Sequence, residues 1–407
     1  MVADRLSLLL LLLGGCARPV AIVDRASTNP PTPSPPQASS LAEGPFVTWS
    51  QFTQSPNPGT VAPELLDLLE QCGEFDARLG AAAAWVTSRG PLGQTDDETE
   101  QLTFALRAFG SPYVRPAAWT RAVQTGVDGS SGEDLQAWLH TQEPSRFRRC
   151  GVAQGDWLGN SLTAVVVSSA LADLVKPLPT QARVGQWLEL LAELRVEANA
   201  AKVVLLGPDG DPRTVPTEKS GSSVRARFPA AMPGRWLVQV LADLKNGGPR
   251  QVLEALLFVD ETPPATYQPE NAPGERPSRL DESAEAALYE MLGALRVHAR
   301  RPRLHRDVLL DRAALSHAES MRRAGRIGHD VGHGSTAERL AAIDFTSRLA
   351  GENVAHAGDA LHVHRALWAS PSHRSNLLNP GFSRLGLGVV EDSDRTLWVC
   401  ELFASEN

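Results

Sequence analysis

Apolar residues change their spacing along this chain, and the changes mark its parts. Within residues 46–180 the stretch 62–89 repeats apolar residues at helical intervals, at Leu65, Leu68, Leu69 and Cys72 and then at Leu79, Ala82, Ala83 and Val86. Further helices are expected over 97–110, closed by Gly110, and over 133–142, and the β-branched run within 161–175 predicts a strand. Residues 183–261 carry short apolar runs separated by "GPDGDP", "EKSGS", "AMPG" and "KNGGP". At least five short strands are expected there, packed as an Ig-like β-sandwich. The first run, "VGQWLELLAELRVE", fits a strand or a helix, because leucine and glutamate favour helix. In residues 281–407 helical spacing returns. Ala287, Leu288, Met291, Leu292 and Leu295 share one face of a first helix, and Leu309, Ala313, Leu315, Ala318 and Met321 supply the apolar side of a second. A third helix is expected over "STAERLAAI", a fourth ends near Trp368, a turn is expected at Ser370-Pro371 with His373 just after it, and "SRLGLGVV" and "TLWVCELFA" read as closing strands. The class is α+β and multidomain.

The parts are joined by segments without apolar period. Residues 17–44 and 262–280 are proline-rich and read as a tether and a linker. Residues 1–16 hold Arg5, an apolar run from Leu8 to Leu13, and then "GGC". That run is far shorter than the ~20 residues of a membrane span, and it reads as a secretory signal peptide. "LGGC" resembles a bacterial lipobox, which implies lipidation of Cys16 and anchoring in the cell envelope, at the outer membrane or on the periplasmic side. An ordinary signal peptide with an incidental cysteine is the alternative. Export permits disulfides, and Cys72 and Cys150 lie in one region and could pair. Cys400 reads as a buried strand residue. The net charge of −8, with no basic patch above the acidic background, excludes nucleic acid as a partner.

Nine of the ten histidines fall in residues 281–407, with only His140 outside. His329 and His333 are four apart, as in the H-E-x-x-H helix of zinc hydrolases, but Asp330 follows the first, and Gly332 and Gly334 bracket the second. Glycine costs about 1 kcal/mol in a helix interior, so a loop is expected and the zincin reading is set aside. His317 is expected to be structural. His298, His305, His356, His362 and His364 read individually as surface residues.

Several motifs then agree in order and spacing: "HAESM", His329 five residues before Gly334-Ser335, "GENVA", "WASPSHRSNLL", "RLGLGVV" and "LWVCELF". Together they resemble a CAP domain, of the superfamily of cysteine-rich secretory proteins, antigens and pathogenesis-related proteins, in its short bacterial (SCP-like) form. The resemblance covers residues 281–407 and implies an α-β-α sandwich with a cleft of histidines and glutamates. It makes His329, Glu352 and His373 the cleft residues and His333 a loop substitution. The family's further glutamate would lie near Trp368-Ala369-Ser370, where no acid is present, so a tetrad is reduced to a triad. Two imidazoles and a carboxylate are also a common ligand set for zinc. Residues 145–167 echo 381–403, which raises the possibility of a degenerate CAP-like domain in the N-terminal region, stripped of its histidines.

Three functions remain open from these residues. The first is a membrane-anchored binding protein whose cleft takes a lipid, glycan or peptide without turnover. The second is a metal-assisted hydrolase or protease using His329, Glu352 and His373. The third is an adhesion or scaffold protein acting through the β-sandwich.

Overall fold

The computed structural model describes Trp49 and residues 61–406, except 93–94, 125–131, 143–144 and 246–247. The leader, Cys16 and the tether lie outside the described residues. The N-terminal part runs α1 (Leu66–Cys72), β1 (Glu74–Phe75), α2 (Ala77–Arg89), α3 (Asp96–Ala108), β2 (Val114–Gln124), α4 (Gly132–Thr141), β3 (Arg148–Trp157) and β4 (Asn160–Ser169). The middle part is all strand: β5 (Ala172–Leu174), β6 (Gln181–Ala182), β7 (Trp187–Leu194), β8 (Ala198–Leu206), β9 (Pro212–Val215), β10 (Thr217–Ser220), β11 (Ser223–Pro229), β12 (Gly234–Leu244) and β13 (Gly248–Val259). The C-terminal part runs α5 (Ala284–His298), β14 (His305–Arg306), α6 (Val308–Ala324), α7 (Thr336–Ala342), β15 (Ala350–Ala357), α8 (Ala360–Ala369), α9 (Pro371–Leu378), β16 (Arg384–Glu391) and β17 (Leu397–Ala404). The molecule is mixed α and β, with several separate sheets.

The ambiguous run of the middle part is the strand β7. Its burial alternates, with Leu188, Leu190, Ala192 and Leu194 inside, a period of two that no helix could share. The sheets β10-β11-β7-β5 and β6-β13-β12-β8-β9 bury one common core, to which Trp236, Phe228, Leu190 and Leu205 contribute.

The C-terminal sheet has the order β14-β16-β17-β15. One face packs on α6 and α7 through Leu310, Ala314, Met321, Leu340, Val354 and Cys400. The other packs on α5, α8 and α9 through Leu288, Leu292, Val363, Leu377, Val399 and Phe403. Two expectations are corrected here. Leu309 and Leu315 are exposed, and the buried stripe of α6 is Leu310, Ala313, Ala314, His317, Ala318 and Met321. Asp307 sets this phase: it caps α6 by accepting from the amides of Leu309 and Leu310. The chain after Ser370 is also more than a turn. Pro371 opens α9, where its missing amide hydrogen costs nothing, and His373 lies on that helix.

The N-terminal sheet repeats this connectivity, β1-β3-β4-β2, with the same parallel and antiparallel pairs. The details correspond as well. Asp76 caps α2 as Asp307 caps α6. The amide of Asp76 donates to Cys150 O at 2.8 Å, and that of Asp307 to Leu385 O at 2.9 Å. Gly151 and Gly386 follow those acceptors, and each lets a helix backbone lie directly on the strand. A disulfide joins Cys72 on α1 to Cys150 on β3, with Cα atoms 5.8 Å apart. Two features of the C-terminal part have no counterpart among the described residues of the N-terminal part: the long loop between α6 and α7, and helix α9.

Candidate functional site

β15 is an edge strand, paired only with β17 among the described residues. This position explains how residues from both layers of the C-terminal part can meet. The loop after α6 brings His329 over the edge from one side, and α9 brings His373 from the other. The loop is irregular, as the glycines predicted: Gly332 and Gly334 have φ of 110° and 96°, a region open to glycine and strained for other residues. Asp330 holds it by accepting the amides of Gly332 and Gly334 at 2.8 and 3.2 Å. Helix α9 is clamped by two arginines. Arg374 donates to Trp368 O at 2.5 Å and to Gly210 O at 3.3 Å, and the buried Arg296 donates to Leu377 O at 2.7 Å.

Glu352 is the buried centre. His329 Nδ1 lies 2.8 Å from its Oε1, and Arg339 on α7 forms an ion pair with Oε2. Cys400 Sγ donates to Oε2 from 3.6 Å, and His317 Nε2 is 3.8 Å from Oε1. Burial alone would raise the Glu352 pKa, but the His329 hydrogen bond, the His329 charge and Arg339 hold it at about 2. The carboxylate is therefore ionised, and His329 must donate from Nδ1, which leaves Nε2 as the nitrogen to meet a ligand. Arg339 also donates to His329 O at 2.7 Å and Gly334 O at 3.0 Å, so one guanidinium fixes the loop and neutralises the acid. Burial pushes the Cys400 thiol well up, with the Glu352 charge adding to it, so the thiol stays protonated.

Beneath this centre, His317 donates to Gly328 O at 2.9 Å and accepts from His333 Nε2 at 3.2 Å. Burial lowers its pKa to about 4, so it is a neutral structural ring. His333 is thus a partner of His317 as well as a loop residue. His364, read as a surface residue, is buried on α8 and bonds Pro273 O at 2.9 Å. The linker packs there, which no local pattern around His364 announces.

His373 lines the same cleft as His329 and Glu352. Burial lowers its pKa to about 3, and the charges of His329 and Arg115 add to the effect, so the imidazole is neutral. The cleft has a volume of about 500 Å³, and its walls come from all three parts: Arg115 on β2, Lys202 on β8, Arg250 on β13, and the C-terminal residues. Sequence reasoning missed Arg115, Lys202 and Arg250, since each belongs to a segment far from the motifs, and Arg339, which lies beside them on α7 but has no local signal that it faces Glu352.

Zinc does not fit these donors as they stand. Both oxygens of Glu352 accept from His329 and Arg339, and a buried guanidinium beside the acid repels a divalent cation. Among the described residues no group of three or more His, Cys, Asp or Glu side chains is arranged to hold a metal ion. The expected ligand set His329, Glu352 and His373 is therefore not assembled as one. Nor is a serine nucleophile set up, since the hydroxyls of Ser370 and Ser372 bond each other at 3.1 Å.

A second acid was also missed. Glu401 on β17 lies opposite Asn353 and is buried, and it accepts from Asn353 Nδ2 at 3.0 Å. Asn353 accepts in turn from Asn376 Nδ2 at 2.9 Å, and that group also donates to Glu352 O at 3.0 Å. Burial raises the Glu401 pKa to about 7, only partly offset by the Asn353 hydrogen bond. An acid whose folded pKa is raised releases its proton more readily when unfolded. Stability is therefore lost as pH climbs from about 4.5 through 7. Glu401→Gln keeps the acceptor and removes the charge, and it should stabilise the protein by about 2 kcal/mol at pH 8 and not at all at pH 4. Urea unfolding at the two pH values measures this, and an equal effect at both would remove the titration argument.

Comparison with known proteins agrees with the motifs. Residues 289–402 match the model of CAP, the cysteine-rich secretory protein family. The uncharacterized protein YkwD of Bacillus subtilis is 28% identical over 137 residues, which are 33% of this chain and 52% of that protein. The chain thus spans about half the length of the curated relative it matches, at 52%. Among solved structures, an extracellular protein of Bacillus anthracis containing a SCP domain is 16% identical, with a TM-score of 0.28, covering 56% of this chain and 88% of that one. An outer surface protein of Borrelia burgdorferi is 22% identical, with a TM-score of 0.29, covering 30% of this chain and 93% of that one.

Proposed function

We propose that this chain, whose C-terminal region carries a CAP domain, is a cell-envelope binding protein that holds a ligand in the cleft of His329, Glu352 and His373 without turning it over. One observation carries the reading: the cleft of about 500 Å³ has an acid at its centre whose two oxygens are already taken by fixed donors. Its size suits a ligand pocket. A general base works best with a pKa near the operating pH, and Glu352, held at about 2 by His329 and Arg339, is too weak a base for that role. What the cleft then offers a ligand is the two imidazoles, with His373 neutral.

Lipids, glycans and peptides are the ligand classes this reading admits. The middle part is read as an Ig-like β-sandwich, and the C-terminal part as an α-β-α sandwich. The N-terminal part is read as a degenerate CAP-like copy that lacks the histidine loop and α9, a reading its shared strand order supports. Lipidation at Cys16 would anchor the chain, each buried CH₂ contributing about 0.8 kcal/mol. Loss of membrane association in Cys16→Ser tests that anchor.

The cleft is tested with the full chain against lipid vesicles, cell-wall glycan and peptides, comparing wild type, His373→Ala and His305→Ala. Binding lost only in His373→Ala is the expected result. Equal binding by all three moves the partner surface elsewhere, for instance to the middle sheets. Stoichiometric zinc uptake by wild type, absent in His373→Ala, would restore the hydrolase.

A further inference from the structure

The chain carries a net charge of −8, yet the cleft gathers cations. Arg115, Lys202, Arg250 and Arg326 all line it, against the two carboxylates of Asp330 and Glu352. Both acids are engaged from within, Asp330 by loop amides and Glu352 by Arg339 and His329. The cavity wall is therefore richer in cationic than in anionic side chains.

The N-terminal part contributes Arg115 by a specific device. Pairing of β2 with β4 shifts between Val114 and Ala117, so Arg115 sits in a bulge, at φ 54°. A non-glycine residue at positive φ is strained, and bulges commonly re-aim a side chain next to a site. Here the result is an arginine in the cleft, close enough to His373 to depress its protonation.

The floor of the same cleft is a strand edge. Asn376 Nδ2 donates to Glu352 O, so the Glu352 backbone points away from β17, whereas Leu349 O accepts from Ser405 N on the β17 side. Backbone groups of alternate residues share a direction in a strand. Ala350 and Val354 therefore turn their amide and carbonyl groups outward with Glu352, and all three residues line the cleft. Opposite them lie Pro249, Arg250 and Gln251 of β13, a strand that pairs with β6 only at Phe258 and Val259.

We propose that the cleft binds an extended acidic peptide, which adds to the outer edge of β15 at Ala350 and Val354, on either side of the Asn376 contact at Glu352, while its carboxylates are drawn to Arg115, Lys202, Arg250 and Arg326. This deepens the proposed function and rests on it. Main-chain hydrogen bonds to an edge strand supply affinity, and side-chain pairing supplies selectivity. Arginine is suited to the second task, because its planar fork matches a carboxylate with two parallel bonds. The composite origin of the cations means that a CAP domain alone would lack the selectivity.

The test uses the full chain and a fluorescent peptide of alternating alanine and glutamate, its glutamine counterpart, and an acidic version with N-methylated amides. Anisotropy should show the acidic peptide binding at least ~10-fold more tightly than the glutamine peptide, with the preference shrinking as salt rises. Lys202→Gln combined with Arg250→Gln should weaken the acidic peptide about 10-fold. Arg323→Gln, an exposed change on α6 outside the cleft, should leave it unchanged. The N-methylated peptide should fail to bind, because it cannot donate to the strand edge. Equal affinity for the acidic and glutamine peptides overturns the charge argument while leaving a peptide-binding cleft. Full binding of the N-methylated peptide overturns addition to β15. If no peptide binds while a vesicle or glycan still binds in a His373-dependent way, this inference falls and the proposed function stands.

Discussion

Replacing Arg339 with methionine should destabilise the C-terminal part by about 3–5 kcal/mol, the cost of leaving a buried charge without its partner. Arg339 is buried, and its guanidinium joins three things that otherwise repel or drift: the Glu352 carboxylate, the His329 carbonyl and the Gly334 carbonyl. Methionine fills much of the same space but donates no hydrogen bond. Glu352 would then keep only His329, at 2.8 Å, and the weak thiol of Cys400. Glu352→Gln added to Arg339→Met should recover part of the loss, since the buried charge is gone while an acceptor for His329 remains. The pH dependence follows from the same group. The Glu352 pKa is depressed to about 2, so its contribution is complete above the ordinary carboxylate range, near 4.5, and is lost as pH falls through 2. Without Arg339 the loss should begin closer to neutrality. Urea titrations across pH, with hydrogen exchange of the β15 amides as the local readout, measure both effects. A variant within about 1 kcal/mol of wild type would show that the buried pair contributes little beyond its shape.

Gly151→Ala is expected to cost about 3 kcal/mol, at the upper end of overpacking, and Gly386→Ala about as much. A methyl group at Gly151 would sit 2.0 Å from the backbone nitrogen of Gly80 on α2, and one at Gly386 would sit 2.3 Å from the backbone of Leu310 on α6. These neighbours are main chain and cannot swing aside as a side chain would. Gly80→Ala supplies the contrast. Its methyl would meet only the Phe75 ring at 3.6 Å, and alanine in a helix interior is favoured over glycine by about 0.5–1 kcal/mol. So one side of a single helix–strand contact should gain stability and the other lose it. Thermal or urea unfolding of the three variants decides the matter. A mild effect at Gly151 beside a severe one at Gly386 would argue that the two sheets do not share one packing design, whatever their strand order.

Much of this architecture is legible in the sequence. The helical stripes of α1, α2 and α5 were read at the right residues, because each helix buries one face against one sheet and its period survives in the chain. The stripe of α6 was read one position off at Leu309 and Leu315, because the cap at Asp307 fixes the helical phase and the exposed leucines mimic a buried face. The strand β7 could not be told from a helix by composition, since leucine and glutamate serve both, and only pairing with β11 and β5 settled it. Helix α9 was hidden behind a serine-proline pair that reads as a turn.

The chain by itself determined most of the helices, the strand-rich middle part, the irregular loop that carries His329, and the identity of three cleft residues, the last through motifs that resemble a family. Tertiary structure alone decided what those residues face. Glu352 is neutralised by an arginine from α7, and the cleft is walled by an arginine from a bulge in β2 and by basic residues from β8 and β13. Local periodicity records which side of an element is buried, but not which other element covers it. Arg339 and Glu352 are near in sequence but lie on a helix and a strand whose packing no local pattern reports, and Arg115 and Lys202 lie more than a hundred residues from the cleft motifs.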